Sequence, residues 1–318
     1  MTSPTFSIVC PIFNEIGNLP ELYRRVKEAM DGLNEPWELV LVDDGSTDGS
    51  TELMRELAQQ DPRLRPVIFA RNFGHQIAVT AGLDYARGQA VVIMDSDLQD
   101  PPEAVPDLIA KWREGFEVVY AIRSEREGET WFKLFTAKLF YRMIYRITDV
   151  NIPMDTGDFR LLDRKVVNVM NQMRERHRFL RGMSVWVGFK QTGVEYRRAA
   201  RFSGETKYPL KKMVKFASDA ITSFSYLPLQ LATYAGFIAA GLSILAIPVV
   251  IVLRFAGDQA FLGQATTLIA VLFLGGVQLI SLGILGEYIG RLYDQAKGRP
   301  MYIVREAPPE EGATAQDR

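Results

Sequence analysis

Two long apolar stretches near the C-terminal end restrict this chain's architecture more than any other feature. Residues 227–253 hold no Asp, Glu, Lys or Arg, and neither do residues 265–285. Each is long enough to cross a bilayer, which takes about 20 apolar residues in a helix. Pro248 lies inside the first stretch, where a neighbouring helix makes a kink tolerable. The link between them is short and carries Arg254 and Asp258. Lys207, Lys211, Lys212 and Lys215 precede the pair, and Arg291, Lys297, Arg299 and Arg305 follow it. This bias places both flanks, both termini and the preceding domain in the cytoplasm, and the link outside, so an integral protein of a plasma membrane is expected. Gly286 and Gly290 form a small-x-x-x-small pair that permits close helix contact, so a homo-oligomer through these helices is one expectation.

The rest of the chain has a different character. Up to about residue 208, short apolar runs alternate with charged stretches, as in a soluble α/β domain. The expected organisation is a soluble domain over 1–208, an amphipathic interfacial helix over 209–226, a two-helix membrane unit over 227–290, and a cytoplasmic C-terminal segment over 291–318, with the acidic tail beyond Glu306 disordered. The formal net charge is −1 over 318 residues, which gives no reason to expect nucleic acid as a partner. Cys10 is the only cysteine, which excludes an internal disulfide framework and a Cys-rich zinc site. The N-terminus lacks a basic region followed by a long apolar core, so no cleaved signal peptide is expected.

Five strand candidates follow in order. Phe6–Ile12 is the first, and Pro11, which cannot donate to a ladder, is expected to end it. Asn14 is the expected cap of a helix over 19–30. Residues 37–42, 64–70, 91–94 and 117–122 are the next four strands, with Ser46 or Asp48 capping the helix after the second and a small-residue helix over 77–85 after the third. Strands alternating with helices predict a doubly wound, mostly parallel sheet. Ligands of such sheets bind beyond the carboxyl ends of the strands.

Those ends carry acids. The second strand runs into Asp43-Asp44, and the fourth runs into Asp95-Ser96-Asp97-Leu98-Gln99, ahead of a helix starting near Pro101. Arg123 follows the fifth. Carboxylates after the second strand suit the hydroxyl and N–H donors of a nucleoside. Asp95, Asp97 and Gln99 offer alternating oxygens of the kind that hold Mg2+ or Mn2+ beside substrate phosphates. The plainer alternative for each set is a polar turn with helix caps. No dinucleotide-binding or P-loop glycine pattern is present.

Pro11-Ile12-Phe13-Asn14-Glu15, Val42-Asp43-Asp44-Gly45-Ser46 and Asp95-Ser96-Asp97-Leu98-Gln99 resemble, in order and spacing, the signatures of family 2 glycosyltransferases with the GT-A fold. The closer resemblance is to the polyprenyl-phosphate sugar transferases, the group of dolichol-phosphate mannose synthases and bacterial GtrB-type glucosyltransferases, and it spans nearly the whole chain. It implies a nucleoside pocket lined by Pro11, Phe13, Glu15, Val42 and Asp44, and a metal and diphosphate site at Asp95, Asp97 and Gln99 with Ser96 beside it. Arg123 matches a family arginine near the phosphates. The stretch from Arg201 through Gly204 to Lys207 is similar to a family loop whose basic residues contact phosphate. A bidentate Arg fork and a mobile Lys charge have that use on general grounds. Asp158 falls in a stretch that resembles the family segment beside the acceptor, where inverting transferases of this fold often place a base carboxylate; some relatives carry serine there.

The implied reaction is inverting, metal-dependent transfer of a hexose to a polyprenyl phosphate such as undecaprenyl phosphate at the cytoplasmic membrane face. Glucose from UDP-glucose is the expected donor, with GDP-mannose, UDP-GlcNAc and UDP-galactose as alternatives. A processive polysaccharide synthase is disfavoured by the lack of Gln-x-x-Arg-Trp and by two spans instead of many. A non-catalytic nucleotide-sugar-binding subunit would not need the Asp95, Asp97 and Gln99 set. Residues 130–148 have apolar positions at helical spacing with interleaved Lys and Arg, which fits either an anionic membrane surface or a core-packed helix with a solvated basic face. After Pro300, residues 301–304 are a short strand candidate.

Overall fold

The computed structural model describes residues 3–123, 156–197, 227–255 and 264–308. The expected amphipathic segments at 130–148 and 209–226, and Arg201 and Lys207, lie outside the described residues.

The strands are β1 (Phe6–Ile12), β2 (Trp37–Asp43), β3 (Leu64–Phe69), β4 (Ala90–Ile93), β5 (Val118–Arg123), β6 (Thr156–Asp163), β7 (Gln191–Tyr196) and β8 (Val304–Glu306). They form one sheet in the order β7-β5-β6-β4-β1-β2-β3-β8. The helices α1 (Leu19–Asp31), α2 (Ser50–Gln60), α3 (His75–Tyr85), α4 (Val105–Arg113), α5 (Arg164–Gln172) and α6 (Leu180–Trp186) cover both faces. All seven residues of β1 and of β2 are buried, as two-sided coverage requires. Phe6, Ile8, Cys10 and Ile12 pack toward α1 and α4, while Val9 packs toward α3. There α3 comes so close that a Cβ on Gly82 would lie 2.1 Å from Val9 Cγ1.

The expected alternation holds through β5, with ends shifted by a residue or two. β1 runs past Pro11 to Ile12. Ile12 O accepts from Asp44 N, so Pro11 faces the β4 side, and pairing with β4 has already stopped at Val9 opposite Ile93. Its missing N–H therefore costs no ladder bond. Asn14 does not cap α1; Asn18 holds that position, and Asn14 Oδ1 accepts instead from Thr47 N. Neither Ser46 nor Asp48 holds the cap position of α2, which is Gly49 at φ +96°; Asp48, one residue before it, accepts from Ser50 N through Oδ1.

β6 departs from the simple parallel plan. It enters antiparallel between β4 and β5, pairing Ile93 with Arg160. Two residues past that pair on each chain stand Asp95 and Asp158. β7 is parallel to β5 at one edge, and β8, found at Val304–Glu306 and not at 301–304, is antiparallel to β3 at the other.

The apolar stretches form α7 (Leu227–Phe255, 29 residues) and α8 (Gln264–Ala296, 33 residues), which pack on one another. Each contains a segment long and apolar enough to cross a membrane, Leu227–Ala246 and Ala270–Ala296. Large apolar side chains such as Phe237, Leu242, Phe273 and Leu279 are exposed along them. At about 1.5 Å per residue, α8 is about 50 Å long and outreaches a hydrocarbon core of about 30 Å.

Candidate active site

The loop after β4 alternates. Asp95, Asp97 and Gln99 are half-buried, while Ser96, Leu98 and Asp100 are buried. The three oxygen-bearing side chains singled out from sequence therefore share the accessible side. Two features fix this turn. Asp97 Oδ1 accepts from Gln99 N at 3.1 Å, and Leu98 adopts φ +59°, which a leucine rarely does. Beneath it, Tyr196 donates to Asp100 Oδ1 at 2.5 Å and Arg123 Nε donates to the Tyr196 hydroxyl at 3.3 Å. Arg123 thus joins the site through the last residues of β5 and β7. Gly157 leaves room for it, since a Cβ there would lie 2.9 Å from its Nη2.

Two carboxylates and one amide make a sparse oxygen set. Among the described residues no group of three His, Cys, Asp or Glu side chains encloses a metal position. The donor set fits a hard cation that keeps several waters and takes further oxygens from phosphate. It does not fit a cation caged by protein alone.

The aspartates after β2 work inwardly. Asp44 accepts from Phe73 N at 2.6 Å and from Gly74 N at 2.9 Å. Burial raises its carboxyl above the usual range despite those two amides. Asp43 accepts from Ser46 N and from the Thr51 hydroxyl. Asp43 therefore closes the β2–α2 turn on itself, and Asp44 ties that turn to the β3–α3 turn. Gly45, at φ +76°, lets those turns touch: a Cβ there would lie 2.7 Å from backbone atoms of Arg71 and Asn72. Val42 and Pro11 are buried and frame the strand ends, whereas Phe13 is exposed at the rim. Half-buried Glu15 accepts from Asn18 Nδ2 at 2.5 Å.

Asp95 and Asp158 are joined by residues that motif reading did not single out. His75 Nε2 lies 2.9 Å from Asp95 Oδ1, and its Nδ1 lies 3.9 Å from Asp158 Oδ2. Gln76 Nε2 donates to Asp158 Oδ2 at 3.2 Å, and Gln76 Oε1 accepts from Leu180 N at 3.0 Å. Arg181 Nε donates to Asp158 Oδ1 at 2.7 Å. Arg160, beneath, donates to Gly157 O and to the Ser184 hydroxyl. Burial opposes charge on His75, but the bond to Asp95 and the charges of Asp95 and Asp158 push the imidazole up to about 9. Burial likewise opposes the Asp158 carboxylate, yet Arg181 holds it well below the usual range. Asp158 is thus a buried anion with cationic partners and a weak proton acceptor. The one hint in the sequence was that His75 is one of two histidines and follows a strand. Nothing local marks Arg181, because only β6 and α6 together bring it to Asp158.

The chain resembles known proteins along its length. Residues 7–170 match the family described as Glycosyl transferase family 2, and residues 227–292 match the GtrB C-terminal hairpin. An uncharacterized glycosyltransferase of Bacillus subtilis, YkcC, is 52% identical over 95% of this chain and 94% of its own length. A prophage bactoprenol glucosyl transferase homolog of Escherichia coli is 41% identical over 94% of this chain and 98% of its own. The bactoprenol glucosyl transferase of Shigella phage SfV is 42% identical over 94% of this chain and 97% of its own. With a mostly parallel sheet whose strands end in acids, followed by that hairpin, the chain belongs to glycosyl transferase family 2.

Proposed function

We propose that the protein transfers glucose from UDP-glucose to a polyprenyl phosphate at the cytoplasmic face of a membrane. The observation that carries this reading is the likeness, over both the catalytic domain and the hairpin, to proteins named bactoprenol glucosyl transferases. A soluble donor site joined to two membrane-type helices matches a water-soluble donor and a lipid acceptor.

The reaction needs little proton chemistry. An acceptor phosphate oxygen, already anionic near neutral pH, attacks C1 of the sugar. The bond from C1 to the donor's β-phosphate oxygen breaks, and UDP leaves with that electron pair. Attack opposite the leaving group inverts C1. Asp95, Asp97 and Gln99 would hold a divalent cation, which when bound offsets charge on the leaving diphosphate. Phe13 and Glu15 stand at the nucleoside rim, and Arg123 serves the phosphates. Asp158, paired with Arg181, positions the site and takes no proton. Arg201 and Lys207 act as clamps on acceptor phosphate.

Purified protein incubated with radiolabelled UDP-glucose and undecaprenyl phosphate tests the reading. Label in a lipid-linked monosaccharide supports it. Label in polymer points to a synthase, and no transfer points to a binding subunit.

A further inference from the structure

Beyond the second long helix, the chain returns to the catalytic domain. Gln295, in the last turn of α8, accepts from Arg176 N at 2.9 Å and donates to Arg174 O at 3.0 Å. The Arg176 guanidinium donates to Arg299 O at 2.7 Å. Tyr302 then donates to Asp84 Oδ2 at 2.7 Å, at the far end of α3. Ile303 O accepts from Ala70 N, β8 pairs with β3, and Arg55 forks onto Glu306 at 2.7 and 3.0 Å. The segment therefore runs from the far end of α3 to the end of β3, where the β3–α3 turn begins.

Its aromatic member reaches further. The Tyr302 ring stacks on Phe69, with centroids 5.2 Å apart and planes 15° apart. Phe69 meets Phe73 edge-on at 5.5 Å, and the Arg71 guanidinium covers the Phe73 ring at 4.1 Å. Phe73 and Gly74 supply the amides that hold Asp44. Three rings in a row thus run from the tail of the membrane hairpin to the turn beside the acidic end of β2. That turn crosses exposed ground at Arg71 and Asn72, so the Phe73 ring is its main apolar anchor.

We propose that Tyr302 is a positioning residue for donor binding, acting through Phe69 and Phe73 to fix the turn whose amides hold Asp44. The segment after the hairpin is then a working part of the nucleotide site, not a mere tether. This rests on the reading of the β2 end as the nucleoside pocket. Loss of the outer ring lets Phe73 shift and loosens the amides on Asp44. Donor affinity falls, while the reacting groups near Asp95 keep their places.

The test uses full-length protein in detergent with UDP-glucose and Mg2+. Binding is measured by calorimetry, and kcat and KM with a short-chain polyprenyl phosphate. Tyr302→Ala and Phe73→Leu should each weaken donor binding about three- to tenfold, with kcat within about twofold. Tyr302→Phe keeps the stack, loses only the bond to Asp84, and should restore wild-type affinity. The double variant Tyr302→Ala/Phe73→Leu should bind no worse than the weaker single variant, because both break one row. Wild-type affinity in Tyr302→Ala, or losses that multiply in the double variant, overturns the inference while leaving the proposed function standing. Wild-type protein that binds no UDP-glucose overturns both.

Discussion

His75 Nε2 lies 2.9 Å from Asp95 Oδ1, so the first residue of α3 is bonded to the acidic exit of β4. The next residue, Gln76, is bonded to Asp158 on the neighbouring antiparallel strand. Two consecutive side chains thereby span the two carboxylates at the centre of the site.

The His75–Asp95 bond makes stability depend on pH. The imidazole is raised from 6.5 to about 9 in the fold, against burial, by its hydrogen bond and the charge of Asp95. A raised value means the contribution is complete below pH 6.5 and is lost as pH rises through about 9. In chelator, wild type should melt above His75→Gln at about pH 6, and the gap should close by about pH 10. A gap that stays constant across that window would contradict the pairing.

Asp158 should behave as a structural anion. Asp158→Asn leaves the Arg181 and Arg160 guanidiniums without their counter-charge, at a cost of about 3–5 kcal/mol in stability. The shape of its pH–rate profile between about pH 5 and 8 should match wild type, since its carboxyl titrates far below that range. Arg201→Ala and Lys207→Ala should each lower turnover at least about tenfold at saturating donor, and more than Asp158→Asn in folded protein. A dead Asp158→Asn beside two near-normal basic variants would make Asp158 the base.

Much of this was legible in the sequence, and the gaps have physical causes. The parallel core, the Asp95–Gln99 turn and both long helices follow from local apolar runs, each ending in residues of one chemistry. β6 was missed because Thr156-Gly157-Asp158-Phe159-Arg160 mixes charge into a buried strand. That pattern is stable only because Arg181, Ser184 and Gln76 satisfy it from other elements. The bonds from the Phe73 and Gly74 amides to Asp44 were not legible either, because no spacing rule predicts a contact between the ends of β2 and β3.

Metal dependence should follow the charge of the β4 exit. Asp95→Asn or Asp97→Asn keeps an oxygen but removes a charge, so most activity should vanish while the melting curve stays cooperative. Chelator should abolish wild-type turnover, and Mg2+ or Mn2+ should restore it. Full turnover in excess chelator would remove the cation from the mechanism.

The hairpin should place both ends of the chain on one side. A cysteine at Gln259 should react with an impermeant thiol reagent added outside cells, and one at Ala313 should not. The native Cys10 is buried and gives little background. The reverse pattern would put the donor site on the side without cytosolic nucleotide sugar.

The most direct test of the central claim is the anomeric configuration of the product. Full-length protein is given UDP-glucose labelled with carbon-13 at C1, together with undecaprenyl phosphate, and the extracted lipid is read by NMR. Inverting attack by the acceptor phosphate predicts one labelled species, a β-linked glucosyl lipid phosphate. An α-linked product, or label found only in free glucose or in polymer, would contradict it.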